Sequence, residues 1–214
     1  MSIHEKYDLG VVKWFTIMSV VYLIAGTTIG TYLASELAWP YLNDLGTDWP
    51  YFQFGRLRPL HTNAVIFGFG GSALMATAYY IVQRTNQTKL WSNKMAWAQF
   101  WTWNIIIISA VITFPLGFTQ SKEYAELEWP IDILITLSWA MYLYNFVMTI
   151  HIRDRKKVPH VYVANWFFLG MMVMVTYLHV VNNLSIPVDW FKSYSIFSGV
   201  QDAMIQWWWG HNAV

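Results

Sequence analysis

Hydrophobic positions run along this chain in long charge-free stretches. A membrane-spanning helix needs about 20 predominantly apolar residues, because the hydrocarbon is roughly 30 Å thick and each residue rises about 1.5 Å. Five stretches meet that length: between Lys13 and Glu36, between Arg58 and Arg84, between Lys94 and Lys122, between Asp132 and Arg153, and within the uncharged run from His160 to Pro187. A sixth helix is expected to open near Ser198, since QDAMIQWWWGHNAV is helix-compatible and apolar apart from Asp202. The sequence ends at Val214, about ten residues into a span that should need about twice that. The expectation is an all-α membrane protein, a polytopic helical bundle of five complete spans plus the start of a sixth. Residues 1–214 read as a single membrane domain, cut short within helix six.

The polar positions between the spans set an orientation. Arg84, Lys89 and Lys94 make one connection purely basic, and Arg153, Arg155, Lys156 and Lys157 outweigh Asp154 in another. Both belong in the cytoplasm by the positive-inside rule. The connection with Glu123, Glu126, Glu128 and Asp132 against Lys122 belongs outside. The amino terminus is then cytoplasmic, and His61 lies at the outer end of the second span.

Composition narrows the chemistry. Hydrophobic residues make up 56% of the chain and charged ones 12%, against roughly 25% charged in soluble domains. A net charge of +1 gives no sign of nucleic acid. With no cysteine, disulfides, thiolate metal sites, iron–sulfur clusters and c-type haem attachment are excluded, so any metal must take nitrogen or oxygen ligands. Fourteen tryptophans and thirteen tyrosines fit interfacial aromatic belts. MSIHEKYDLG carries mixed charges before a long apolar run with no small-residue cleavage site, which reads as an uncleaved first span.

The histidines are the first candidates. In RLRPLHTNAVIFGFGG, His61 follows Pro59, which fits a helix entry. Helical spacing puts Val65, Gly68, Ser72 and Ala76 on the face beyond His61. That nearly bare face suits either a flat macrocycle ligated by His61 or a closely packed neighbouring helix. Arg56 and Arg58, just before the span, could hold haem propionates bidentately, or pair with Asp44, Asp48 or Glu36. His211 follows Trp207, Trp208 and Trp209 and should be buried about 20 Å along the sixth helix. It is either a metal ligand walled by rings or a packing position.

His179 lies at about the depth of His61. A bis-histidine haem between the two is one reading, and a hydrogen-bonded structural ring beside Asn182 and Asn183 is the other. His4, His151 and His160 read as solvated. Glu123 and Glu126, three apart, could share a face in a helical turn and bind calcium, or belong to a solvated acidic loop.

Three segments, FGRLRPLHTNAVIFGFGGSALMATAYYIVQRT, KEYAELEWPIDI and GVQDAMIQWWWGHNAV, resemble the catalytic subunit I of cbb3-type cytochrome c oxidases, the C branch of the haem–copper oxidases. The resemblance covers essentially the whole chain in unbroken order. It implies the amino-terminal portion of a twelve-helix subunit in the bacterial cytoplasmic (inner) membrane. That subunit holds low-spin haem b, high-spin haem b and copper. It takes electrons from cytochrome c through c-type cytochrome subunits, reduces oxygen to water and translocates protons. By position, His61 resembles an axial ligand of low-spin haem b and His211 a copper ligand at the catalytic centre. Arg56 and Arg58 would neighbour the propionates, and Glu123, with Glu126 close by, a calcium.

The resemblance assigns the remaining ligands to helices seven onward, the remaining helices of subunit I. On this reading the 214 residues alone are inactive. Two other readings stay open: a nitric-oxide reductase large-subunit-like protein, and a non-catalytic fragment or scaffold.

Overall fold

The computed structural model describes residues 6–44 and 49–213. Five helices are long and apolar enough to cross a membrane: α1 (Leu9–Ala38), α2 (Phe54–Asn86), α3 (Asn93–Leu116), α4 (Trp129–His151) and α5 (Val163–Asn182). A hairpin of β1 (Ser185–Asp189) and β2 (Lys192–Ser195) then leads to α6 (Val200–Ala213). The chain is a multi-pass membrane protein. Large apolar side chains such as Ile24, Ile108 and Phe167 point outward at 61%, 54% and 75% exposure, which only lipid or further protein makes tolerable.

Local chemistry fixes the helix ends. Ser92 accepts a hydrogen bond from the Met95 N–H at 3.1 Å and caps α3, which Gly117 closes in the left-handed conformation at φ 85°. Pro130 stands in the first turn of α4, where its missing N–H costs nothing. The second span corrects the sequence reading in two ways. It starts at Phe54, so Arg56 and Arg58 lie in its first turns instead of before it, and Pro59 is inside the helix instead of at its entry. The proline is tolerated there because the carbonyl it leaves idle belongs to exposed Gly55. After Thr62 the winding loosens into a π-helical segment, Asn63–Gly71, before α-helix resumes at Ser72.

Buried aromatics from four helices form the centre: Phe15 of α1, Tyr79 of α2, Trp103 of α3, and Tyr142 and Phe146 of α4. Polar pairs mark the two ends. At one, the Asp8 N–H donates to Gln83 Oε1 at 2.7 Å, Arg84 lies over the Tyr7 ring, and Thr85 meets Asn165. The first helix therefore begins beside the basic connection, as the charge pattern requires. At the other end, the 117–128 loop meets the hairpin and α6: Ser193 Oγ donates to Glu128 at 2.8 Å, and Lys122 lies 3.5 Å from Asp202.

Among the described residues, the β1–β2 hairpin adds strands to an otherwise helical reading. Its strands pair antiparallel from Ser185↔Ser195, with an irregularity between Pro187 and Asp189, where proline can donate nothing to the ladder.

Candidate functional site

His61 sits on α2 two residues before the π segment. Its Nδ1 lies 2.8 Å from the Gly26 carbonyl oxygen. A carbonyl can only accept, so Nδ1 carries the proton and Nε2 holds the ring's lone pair. A hydrogen-bonded Nδ1 is the arrangement that fixes tautomer and orientation in metal-binding imidazoles.

Gly30, one turn beyond Gly26, makes room for the ring. A methyl group there would fall 2.6 Å from His61 Cε1 and 2.9 Å from Nδ1, closer than such atoms can come. At Gly26 a methyl would fall 2.7 Å from Val65 Cγ2, and one on Gly68 would fall 3.0 Å from the Tyr22 ring. Gly26 and Gly30 are a G-x-x-x-G pair that brings α1 against α2. The sequence reading missed both, although that spacing was the available signal. The same contacts correct the expected recess, because the small face running from His61 through Val65 to Gly68 is filled by α1. Close helix approach, not room for a macrocycle, is what those small residues provide within this chain.

The two arginines are already engaged. Arg58 pairs with Glu123, and Arg56 donates to the Pro115 carbonyl at 2.6 Å and lies over the Tyr51 ring. Asp48 lies outside the described residues. Glu36 is buried, and neither of its carboxyl oxygens has a hydrogen-bond partner among the described residues.

The outer acidic loop is not solvated as expected. Lys122, Glu126 and Glu128 are all buried, and the Glu123–Glu126 stretch is not helical, with Tyr124 at φ 63°. The loop turns inward because Lys122 reaches the Asn182 carbonyl and Trp209 Nε1 donates to the Tyr124 carbonyl at 3.1 Å. Burial raises the Glu126 carboxyl to about 7, outweighing the hydrogen bonds and the Arg58 charge that oppose it. Burial lowers Lys122, against the pull of Asp202 and Asp132. Among the described residues, no three histidine or carboxylate side chains converge closely enough to hold a metal ion.

His179 is 4% exposed with both ring nitrogens engaged. Nε2 donates to the Asp132 carbonyl at 3.1 Å, and Nδ1 accepts from Asn183 Nδ2 at 3.1 Å. This is the hydrogen-bonded arrangement, and it leaves no lone pair for a haem shared with His61. His211 lies eleven positions beyond the first residue of α6 and is exposed in this chain, which corrects the buried position expected from depth alone. Burial on a helix depends on the face as well as the depth, and the buried face here belongs to Trp209. That ring stacks on Phe67 at 6.4 Å and meets His179 edge-on, while Trp208 packs on Tyr177 and Trp207 faces outward. His151 and His160 are exposed as expected, and His4 lies outside the described residues.

Comparison with known proteins identifies the family. The family described as cytochrome c and quinol oxidase polypeptide I matches residues 10–214. The cbb3-type cytochrome c oxidase subunit CcoN1 of Stutzerimonas stutzeri is 57% identical over 208 residues, which cover 97% of this chain and 43% of that protein. The cytochrome c oxidase subunit 1 homolog of Agrobacterium tumefaciens (strain T37) is 50% identical over 98% of this chain and 38% of its own length. Cytochrome c oxidase subunit 1 of Rhodobacter capsulatus is 47% identical over 98% of this chain and 39% of its own length. The chain spans about two fifths of the length of these curated relatives. With a family match across nearly all its residues and close relatives of one kind, the chain belongs to the cytochrome c and quinol oxidase polypeptide I family.

Proposed function

We propose that this chain forms the amino-terminal helices of the catalytic subunit of a cbb3-type cytochrome c oxidase in a bacterial cytoplasmic membrane. The whole subunit would reduce oxygen to water with electrons from cytochrome c, delivered through c-type cytochrome subunits, and couple this to proton translocation. The observation that carries the reading is His61: its Nδ1 is committed to the Gly26 carbonyl, its Nε2 is free to coordinate, and Gly30 leaves the ring its space.

With these features His61 would hold the iron of a low-spin haem b, which would carry single electrons when bound. Gly26 holds the imidazole in the ligating tautomer, and α1 covers the ring's other side. Arg58 and Arg56 stand in the turns before His61, where guanidinium groups can take carboxylates once Arg58 exchanges Glu123 for them. His211, exposed on α6, is available as one nitrogen ligand to copper. The other copper ligands and the high-spin haem ligand would come from the remaining helices of subunit I. Glu123 and Glu126 lie beside the arginines and supply carboxylate oxygens suited to calcium, with further ligands needed from outside these residues.

Oxygen uptake with reduced cytochrome c, measured in membranes whose only terminal oxidase contains this chain, tests the proposal. The His61→Ala and His211→Ala enzymes should each lose nearly all uptake. Retained activity in either would remove that residue from the electron path.

A further inference from the structure

The bundle encloses a cavity of about 40 Å³ near the outer end, between α2, α3, α4, α5 and α6. Most of its wall is apolar, from Phe67, Ile106, Ile107 and Trp209 among others. Its polar lining includes Glu126, Tyr124 and His179, and, from three different helices, Asn63, Trp103 and Asp132. Asn63, Trp103 and Asp132 are 4%, 2% and 6% exposed. Asn63 Oδ1, Trp103 Nε1 and Asp132 Oδ1 each lack a hydrogen-bond partner among the described residues. Buried polar atoms are seldom left so, and three around one cavity call for a common partner.

Chemistry restricts that partner. The indole N–H can only donate, and the Asn63 amide oxygen can only accept. A cation would suit the two oxygens and be repelled by the indole N–H. An anion would suit the indole and be repelled by the oxygens, and an apolar gas would satisfy none of the three. Water both donates and accepts, and it needs two to four polar partners and on the order of 10–15 Å³. The cavity therefore has room for about three or four molecules. The π-helical winding after His61 contributes to the site, since Asn63 and Phe67 both belong to that segment and both line the cavity.

One wall leads outward. Glu126 lines this cavity and also the open outer crevice that holds Arg58, Lys122, Glu123 and Gln206. We propose that the cavity is a water-binding site: a small cluster accepts from Trp103 Nε1, donates to Asn63 Oδ1 and Asp132 Oδ1, and hydrogen-bonds to Glu126. Through that cluster the Asp132 carboxyl exchanges protons with the outer crevice.

The test is a density map of the assembled oxidase at a resolution that shows ordered water, with and without Trp103→Phe. The expected result is water-sized density within hydrogen-bonding distance of Trp103 Nε1 and of Asn63 Oδ1 or Asp132 Oδ1, lost at the ring in Trp103→Phe. A second arm records the infrared carboxyl band assigned by Asp132→Asn, which should shift promptly on transfer to D₂O and more slowly in Glu126→Leu. Four results would overturn the proposal: side chains from the rest of the subunit pairing the three atoms directly, xenon under pressure occupying the space as in a dry cavity, density unaffected by Trp103→Phe, or an Asp132 band indifferent to D₂O.

Discussion

His61 and His179 are the same residue type near the same end of one bundle, yet their surroundings give them opposite chemistry. His61 faces one backbone carbonyl and keeps a lone pair; His179 faces a carbonyl on one nitrogen and an amide on the other and keeps none. Depth and residue type, which sequence supplies, do not distinguish them. Neighbours do: Gly26 and Gly30 make the space at His61, and Asn183 closes the second nitrogen of His179.

The contrast predicts unequal stability losses. His179→Ala removes a buried ring bonded on both sides and should cost about 3–4 kcal/mol. His61→Ala, at a half-buried position with one hydrogen bond, should cost about 1 kcal/mol before any cofactor is counted. Thermal unfolding in detergent would rank them, and equal losses would break the comparison.

The outer loop likewise gives two residues of one type different surroundings. Glu123 has Arg58, whereas Glu126 is buried with its carboxyl raised from 4.5 to about 7. Between those values the folded state holds a proton that the unfolded state has released, so this contribution to stability is full below about pH 4.5 and is lost as pH rises through about 7. The loss should reach about 3 kcal/mol, at about 1.36 kcal/mol per unit. Comparing melts at low and neutral pH with those of Glu126→Gln isolates it, because the variant should lack this pH dependence.

Gly30→Ala sharpens the first contrast from the other side. The added methyl would meet the His61 ring at 2.6 Å, costing about 1–3 kcal/mol of overpacking and displacing the imidazole. Melting temperature reads the first effect, and a broadened or diminished low-spin haem band reads the second. The smallest effect belongs to Arg58 and Glu123. Arg58 is about half exposed, so a double-mutant cycle of Arg58→Ala and Glu123→Ala should give a coupling of about 1 kcal/mol or less, weakening with salt.

The spans were legible in the sequence because length and hydropathy decide them, and loop charges separated the connections at the two ends of the bundle. The five spans stand where the residue pattern put them, except that the second starts earlier, at Phe54. What the pattern could not give were features set by contacts distant in sequence. The register of the helix after His61 depends on π winding in a segment that packs against α1. The acidic loop folds inward because Lys122 finds the Asn182 carbonyl sixty residues away. His211 is exposed because Trp209 takes the buried face of α6. The G-x-x-x-G pair at Gly26 and Gly30 was readable, but its relevance to His61 emerges only when the two helices meet.

The most direct test of the central claim, that His61 and not His179 offers its nitrogen to haem iron, is the reduced-minus-oxidised spectrum of the assembled oxidase. Wild type would be compared with His61→Ala and with His179→Gln, which retains a donor and an acceptor. The account predicts that the low-spin b-type band disappears in His61→Ala and persists in His179→Gln. A band that survives the first substitution and vanishes in the second would contradict it.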